Sequence, residues 1–359
     1  MKYKDFIPNE KREVITTEDM ETFNKFKESN KEMKIVGTHS GTFHSDEVLS
    51  TFLLKFYDKT IKSVVIRTRN LEILKLCDVV VDVGGIIDPQ THRYDHHMKE
   101  FKEVFNENDK DLNSIKLSSA GLIWKYLGKN ILENVIKSLD LFEQNKTHID
   151  EIHKLVYLDF IMGVDGMDNG VTQYDKDIKP KYRLCGNFVD RISRLNPEWN
   201  MINIDVNERF KKGWDVAEDE FLSQIKKYAN SYFLAYDIVE KAVNEAIKEN
   251  KLYIIMDTYC PWKKCLYEIE KKLKIENKLL YCILPTSNNR WTSTAINLND
   301  HCMELRKPFP EEWRAKSGEE LQKITGIKDA EFVHVSGFIS FWHFKESAIK
   351  ATEISINSK

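Results

Sequence analysis

The stretch Asp78-Val79-Val80-Val81-Asp82-Val83-Gly84-Gly85 predicts a short buried β-strand that ends at a carboxylate and a glycine turn. A run of β-branched residues without polar alternation is typical of a parallel sheet covered on both faces. In such sheets, ligands collect at the carboxyl ends of the strands. Asp82 therefore stands where a functional side chain is expected.

Similar apolar runs precede this strand, with a helical stretch between them. Ile35-Val36 and Ser63-Val64-Val65-Ile66-Arg67 predict two more buried strands, and residues 46–56 predict an amphipathic helix. Strands that alternate with helices predict an α/β fold with a parallel sheet. His39 and Arg67 then follow strand ends, as Asp82 does, so we expect Arg67 near bound substrate.

Two clusters of imidazoles and carboxylates lie at these predicted strand ends. They are Gly37-Thr38-His39-Ser40-Gly41-Thr42-Phe43-His44-Ser45-Asp46-Glu47 and Arg93-Tyr94-Asp95-His96-His97. Imidazole and carboxylate suit Mn²⁺, and carboxylate with water suits Mg²⁺, while zinc remains compatible with the ligand types. Candidate metal ligands are His39, His44, Asp46, Asp82, His96 and Asp165. This set exceeds the needs of one ion and predicts two divalent ions bridged by Asp82, an arrangement suited to phosphoryl transfer.

The stretch Gly163-Val164-Asp165-Gly166-Met167-Asp168-Asn169-Gly170 follows a predicted helix over residues 149–162. Its glycines, aspartates and asparagine predict a turn or a ligand loop at the end of that helix. Asp168 competes with Asp165 for the role of metal ligand.

Composition excludes several other classes of protein. The 359 residues include 54 basic and 57 acidic side chains, and the formal net charge of −3 gives no global case for binding duplex DNA or an anionic membrane. No apolar run reaches the length of a membrane helix, and the first residues lack the apolar segment of a secretory signal. The six cysteines form no CxxC pair, which argues against a zinc knuckle or a disulfide framework. We expect an intracellular protein.

The length predicts more than one domain. We expect a mobile N-terminal arm or short surface helix over residues 1–33 and a catalytic α/β domain over residues 34–214. A helical connection should cover residues 215–250, and a second, smaller α/β domain residues 251–359.

The second domain contains candidate groups for gripping substrate. The turn Ser287-Asn288-Asn289-Arg290-Trp291 offers a guanidinium suited to bidentate phosphate contact. Phe332-Val333-His334-Val335-Ser336-Gly337-Phe338 offers His334, Ser336 and a glycine whose backbone permits close approach of a nucleotide. We expect Arg290, His334, Ser336 and Gly337 to bind substrate.

The sequence resembles the DHH phosphoesterase superfamily, named for the Asp95-His96-His97 run. The cluster from His39 to Asp46 and the Asp82 strand resemble two more of its motifs, and Val164-Asp165-Gly166 resembles the fourth. More narrowly, the 37–47 and 332–338 stretches, Val81-Asp82-Val83-Gly84-Gly85 and Leu117-Ser118-Ser119-Ala120-Gly121-Leu122-Ile123-Trp124 resemble the melanocyte proliferating gene (Myg-type) exonuclease family. The similarity runs from about Lys34 to the C-terminus.

This resemblance implies a metal-dependent exonuclease that works on RNA from the 3′ end and belongs to the nucleus and mitochondria. His39, Asp46, Asp82, His96 and Asp165 would occupy the superfamily's positions for two Mn²⁺ or Mg²⁺ ions. His44 departs from the pattern, because the superfamily more commonly has an aspartate there. His97 would act near the leaving oxygen or orient its neighbours, alongside Asp82 and His96 as catalytic groups.

Two alternatives remain open at the level of sequence. One is an enzyme of the same chemistry acting on pyrophosphate, a cyclic dinucleotide or a very short oligonucleotide. The other is a regulatory scaffold whose metal site is vestigial or structural. The compartment, whether nucleus, mitochondrion or cytoplasm, stays open as well, as does assembly into a homo-oligomer.

Overall fold

The computed structural model describes residues 11–61, 63–175, 177–182, 184–286 and 288–358. The chain divides into two compact units between Ala229 and Asn230. The predicted helical connection over residues 215–250 therefore spans this division. No helix in these described ranges has both the length and the apolar character needed to cross a membrane.

The first unit is an α/β structure. Its elements in chain order are β1 (Glu13–Thr16), α1 (Met20–Ser29), β2 (Val36–Thr38), α2 (Ser45–Tyr57), β3 (Val64–Arg67), α3 (Leu71–Lys75), β4 (Val79–Val81), β5 (Ile87–Asp88), β6 (Arg93–Tyr94), α4 (Ser119–Ser138), α5 (Phe142–Asn145), α6 (Ile149–Val156), a π-helical segment (Tyr157–Ile161), α7 (Met162–Asp168), α8 (Phe188–Ser193) and α9 (Val206–Lys227).

The strands of the first unit form one sheet in the order β1-β3-β2-β4-β6-β5. Neighbouring strands are parallel except for β5 and β6. Strand β2 lies between β3 and β4, so the direction of winding reverses beside β2, and this is where ligands bind in open α/β sheets. The predicted α/β class with a parallel sheet is confirmed.

Of the two predictions for residues 1–33, a mobile arm or a short surface helix, the structure shows a helix over part of residues 11–33, together with a strand. Strand β1 pairs with β3 in parallel, with Val14 opposite Val65. Helix α1 begins after Asp19, whose carboxylate accepts a hydrogen bond from the Thr22 amide at 2.7 Å, and it buries Phe23. A few apolar side chains in a charged stretch are thus enough to add an edge strand and a helix. The first ten residues of the predicted arm lie outside the described residues.

The helical run that begins at Ile149 does not end in a loop as predicted. Helix α6 passes into the π-helical segment and then into α7, so residues 163–168 are helical rather than a turn. Val164 and Asp165 are buried. Burial of this face stabilises a helix in a stretch whose glycines favour a turn.

The second unit has a mixed five-stranded sheet in the order β10-β11-β9-β8-β7. A π-helical segment (Tyr228–Tyr232) leads into α10 (Phe233–Lys248), β7 (Tyr253–Ile255), α11 (Trp262–Leu273), β8 (Tyr281–Pro285), β9 (Trp291–Ala295), a 3₁₀ turn (Glu311–Trp313), α12 (Gly318–Thr325), β10 (Ala330–Val333), β11 (Ile339–Trp342) and α13 (Lys345–Asn357). Only β7 and β8 are parallel neighbours among these described strands. Tyr281, Phe309 and Trp342 belong to its core.

Candidate metal centre

A pocket of about 570 Å³ opens in the first unit and is lined by residues from the loops that follow β2, β4 and β6. Asp82 lies in it, directly after strand β4, with a left-handed backbone at φ 60°. Aspartate and asparagine tolerate this conformation better than most residues, and such backbone often occurs at functional sites. The strand therefore ends with its carboxylate turned among the loops.

The Asp82 carboxylate lies between two imidazoles. His39 Nε2 is 3.3 Å from Asp82 Oδ2, and His96 Nε2 is 3.1 Å from Asp82 Oδ1. Burial alone would raise the pKa of Asp82, but hydrogen bonds from both histidines hold it below its usual range. Asp82 therefore stays ionised in this site and can share its two oxygens between neighbouring cations.

Glu47, the last residue of the 37–47 cluster, is a further carboxylate of the site that was not among the predicted metal ligands. Its Oε1 lies 3.0 Å from His39 Nε2, and the same carboxylate accepts the His44 amide at the start of helix α2. Burial raises the pKa of Glu47 to about 8, against the hydrogen bond from His39. Burial would lower the pKa of His39, but its bonds to Asp82 and Glu47 raise it to about 10. Its place directly after Asp46, within the 37–47 cluster, is the signal that could have identified Glu47.

Asp46 and Asp168 approach the same ring nitrogen of His96 as Asp82 does. His96 Nε2 is 3.3 Å from Asp168 Oδ2 and 3.9 Å from Asp46 Oδ2. Burial and the neighbouring Asp82 raise the pKa of Asp46, whose Oδ2 accepts the Ser119 hydroxyl at 2.8 Å. Burial and the charge of Asp46 raise the pKa of Asp168 to about 7. Carboxylates are thus crowded together here without enough donors to stabilise their charges.

The remaining residues of the DHH run hold each other in place. Asp95 accepts the amides of His96 and His97 and, at 2.6 Å, that of Gly85. His97 Nδ1 lies 2.7 Å from Asp95 Oδ1, while most of the His97 side chain is exposed. The hydrogen bond to Asp95 raises the pKa of His97 against partial burial. Asp95 therefore orients the loop, and the largely exposed His97 lines the pocket.

Asp165 does not join the pocket. Its Oδ1 accepts the Ser118 amide at 2.9 Å, the Ser118 hydroxyl at 2.6 Å and the Gly121 amide at 3.1 Å, and its Oδ2 accepts the Tyr157 hydroxyl at 3.0 Å. Burial raises the pKa of Asp165 to about 7, against the hydrogen bonds from Ser118. Of the two competing aspartates on α7, the structure brings Asp168 to the pocket and uses Asp165 to cap helix α4.

Arg67 is also placed differently from the prediction. Its side chain is buried, donates to the Gly41 carbonyl at 2.6 Å, and packs against the rings of Phe43 and Phe210. A guanidinium enclosed in this way cannot reach substrate in the pocket. Arg67 instead supports the loop between His39 and His44.

Four of the predicted substrate residues lie in the second unit: Arg290, His334, Ser336 and Gly337. Arg290 forms an ion pair with Glu331, and His334 Nδ1 is 2.9 Å from the Ser336 hydroxyl. Gly337 has φ 70°, and a Cβ there would come within 2.8 Å of the Arg314 side chain. Local packing therefore requires a glycine at position 337, whether or not a ligand approaches it. Ser287, part of the same predicted turn as Arg290, lies outside the described residues.

The donor set fits divalent cations. Three groups of side chains place one possible ligand atom each within 4.8 Å of one another: His39, His44, Glu47 and Asp82; Asp82, His96 and His97; His44, Asp46 and Asp168. In the described parts of the chain, the buried atoms Asp46 Oδ1 and His96 Nδ1 have no hydrogen-bond partner. Buried polar atoms are nearly always paired, so these carboxylates and imidazoles suit a bound cation.

Fold and site together define an α/β protein with a carboxylate–histidine centre suited to divalent metal ions. The MYG1_exonuc model, described as an uncharacterised protein family (UPF0160), matches residues 35–356. The chain is similar to the rat MYG1 exonuclease, at 34% identity over 89% of this chain and 84% of the rat protein. It is 35% identical to the Dictyostelium discoideum MYG1 protein, over 87% and 93% of the two chains. The chain belongs to the MYG1 exonuclease family.

Among solved structures, a likeness was found to RecJ from Thermus thermophilus in complex with Mn²⁺. It covers 99% of this chain and 57% of RecJ, with 12% sequence identity and a TM-score of 0.27. At that score the likeness supports no conclusion about fold or function.

Proposed function

We propose that this protein is a metal-dependent phosphodiester hydrolase that removes nucleotides from the 3′ end of single-stranded RNA with the help of two divalent ions. The observation that carries the proposal is the convergence of carboxylates and imidazoles on Asp82 in an open pocket. The relatives named exonuclease favour a nuclease. RNA and the 3′ polarity follow from the family resemblance.

Asp82 would bridge the two ions, because its oxygens face His39 on one side and His96 on the other. His39 and Glu47 would complete one ion's ligands, and Asp46, His96 and Asp168 the other's. His44, exposed at the pocket rim, lies within reach of both groups. Bound Mn²⁺ or Mg²⁺ would supply an activated water and neutralise the charge of a phosphodiester.

His97 is proposed to donate a proton to the leaving oxygen. Asp95 accepts from its Nδ1, so the proton for donation would be held on Nε2. The raised pKa of His97 increases the protonated fraction at neutral pH. An acid of this kind is worth about 10² to 10⁴ in rate.

The test is hydrolysis of 3′-labelled and 5′-labelled single-stranded RNA with Mn²⁺, Mg²⁺ or a chelator. Early mononucleotide release from the 3′ label and a shrinking 5′-labelled ladder are expected, and chelator should abolish both. Asp82→Asn keeps the shape and tolerates the left-handed backbone, so it should remove activity while the protein stays folded. Asp150→Asn, at an exposed position on α6, is the matched control.

If the single-stranded RNA is not cleaved while a short oligonucleotide or a cyclic dinucleotide is, the substrate of the enzyme is a small phosphodiester rather than RNA. Activity that survives in Asp82→Asn, or in chelator, would overturn the proposal.

A further inference from the structure

We propose that Lys116 binds the phosphate next to the scissile one and so helps to hold a polynucleotide in the pocket. This inference rests on the proposed function of the site. Lys116 lines the pocket together with Asp82, His96 and Asp168. Among the described residues that line it, Lys116 is the only lysine or arginine.

The Lys116 ammonium has no carboxylate partner among the residues that the structure describes. The ammonium lies over the Phe101 ring, 5.6 Å from Nζ to the ring centroid. Many other lysines of the described residues are engaged in ion pairs. Lys125, for example, lies 2.7 Å from a carboxylate oxygen of Glu103. An unpaired cation at the rim of an acidic pocket is suited to a phosphate oxygen, which accepts a charge-assisted hydrogen bond.

The backbone of Lys116 is fixed from two sides. Its carbonyl accepts the Asn169 side-chain amide at 2.8 Å, and Asn169 directly follows the pocket residue Asp168. Lys116 also pairs with Val104 in an isolated antiparallel bridge, and the next amide, that of Leu117, donates to Glu103. The backbone of Lys116 is thus fixed at the pocket, while the long side chain leaves its ammonium group able to reach substrate.

The Phe101 ring contacts both Lys116 and His96. The Phe101 ring packs edge-on against His96, with 6.3 Å between the ring centroids, and the Lys116 ammonium lies on Phe101. The ammonium therefore lies beside an aromatic ring that also contacts the His96 imidazole. A phosphate at the cluster leaves Lys116 free to contact the neighbouring phosphate of the same strand.

The experiment compares Lys116→Met and Lys116→Arg with wild type on two substrates. One is a single-stranded RNA, and the other is bis(p-nitrophenyl) phosphate, a diester with a single phosphate. Lys116→Met should raise KM for RNA about tenfold or more with a smaller change in kcat, because one charged hydrogen bond is lost. It should leave hydrolysis of the small diester unchanged, and Lys116→Arg should restore most of the affinity for RNA.

Lys110→Met is the matched control, since Lys110 is exposed on the same segment and does not line the pocket. An equal loss on both substrates would indicate damage to the site itself and overturn the proposal. So would an unchanged KM for RNA.

RNA binding in Ca²⁺, measured by fluorescence anisotropy over a range of salt concentrations, separates this inference from the proposed function. Lys116→Met should reduce the slope of log affinity against log salt by about 0.7, the value for one phosphate contact on a single strand. If wild type binds RNA without hydrolysing it and the slope still falls, the Lys116 contact stands and the proposed function fails. If wild type binds no RNA, or the slope is unchanged, the Lys116 contact is overturned.

Discussion

The first unit contains two buried aspartate environments that look alike in sequence and differ in hydrogen bonding. Around Asp165, four hydrogen bonds from Ser118, Gly121 and Tyr157 satisfy both carboxylate oxygens. Around Asp82, carboxylates face each other and two histidines, and Asp46 Oδ1 has no partner among the described residues. The first environment is closed and structural, whereas the second gathers carboxylates and imidazoles that suit a divalent cation. The two environments are distinguished by the number of hydrogen-bond donors for each carboxylate oxygen, and not by how deeply the aspartates are buried.

The largest expected effect comes from removing Asp165, the carboxylate whose oxygens are both hydrogen-bonded. Asp165→Ala should destabilise the protein by about 3 kcal/mol or more, since it leaves several buried donors without a partner. Chemical denaturation in chelator measures this loss. Asp168→Ala, three residues further along the same helix, should cost less than about 1 kcal/mol. Similar losses in the two variants would mean that the environments are not distinct.

The start of helix α4 offers a second way to disrupt the surroundings of Asp165. A Cβ on Gly121 would come within 2.3 Å of Asp165 Oδ2. Gly121→Ala must therefore displace the carboxylate or the helix, and its melting temperature should fall with or without metal. Gly166→Ala, at a position with open space around a Cβ, is the matched control.

At the open site, Asp46→Asn should lower stability little or even raise it in chelator, because it removes a charge that repels Asp82. In wild type, Mn²⁺ at about 100 times its Kd should stabilise the fold by about 2.7 kcal/mol. This increment should be lost in Asp46→Asn. Thermal unfolding with Mn²⁺ and with chelator reports both effects, and an unchanged Mn²⁺ shift in the variant would contradict the assignment of Asp46.

Asp168→Asn should weaken Mn²⁺ binding about 10- to 100-fold while leaving the fold intact. Isothermal titration calorimetry provides the measurement. Asp159→Asn, at a partly exposed aspartate of the π-helical segment, should leave the metal affinity at the wild-type value. Equal affinity in wild type and Asp168→Asn would remove Asp168 from the site.

The smallest effect concerns pH and helix α4, which begins at the closed site. His153 donates to the Trp124 carbonyl at 2.8 Å, and burial lowers its pKa to about 4, against that hydrogen bond. Between pH 6.5 and 4 the unfolded chain binds a proton that the folded chain excludes, so stability is present above pH 6.5 and is lost as pH falls. Wild type should lose about 1 kcal/mol more than His153→Gln between pH 7.5 and 5.5. Denaturant titrations in chelator at both values compare them, and parallel losses would argue against a neutral buried His153.

The sequence alone predicted the part of the site that depends on sheet topology. Parallel strands carry their carboxyl ends to one edge, so His39 and Asp82 were expected to meet, and the structure brings them within 3.3 Å. The position of β1 was missed because four residues with one buried valine carry no clear pattern. Arg67 was misplaced because a strand-end position does not tell whether a side chain turns into the core or toward the pocket.

Helical residues were harder to place from sequence than strand ends. Asp165 and Asp168 lie three residues apart on the same side of α7, so spacing gave no reason to choose between them. Their roles depend on tertiary packing, which places Asp165 at the start of α4 and Asp168 in the pocket. Glu47 was overlooked for a related reason, because its position also suits an ordinary helix cap.

The π-helical segment Tyr157–Ile161 precedes both aspartates within one continuous helical run. A π-helical turn contains one residue more than the α-helical turn it replaces. Deleting one residue within this segment would restore a regular α-helix and leave Asp165 and Asp168 close to their present orientations. Deleting one residue from the regular start of α7 would instead rotate both aspartates by about 100° and shift them by about 1.5 Å. Asp165 would then leave the start of α4, and Asp168 would leave the pocket, in a single step. The helical run therefore tolerates the loss of one residue in its π-helical segment but not in the regular turn that follows.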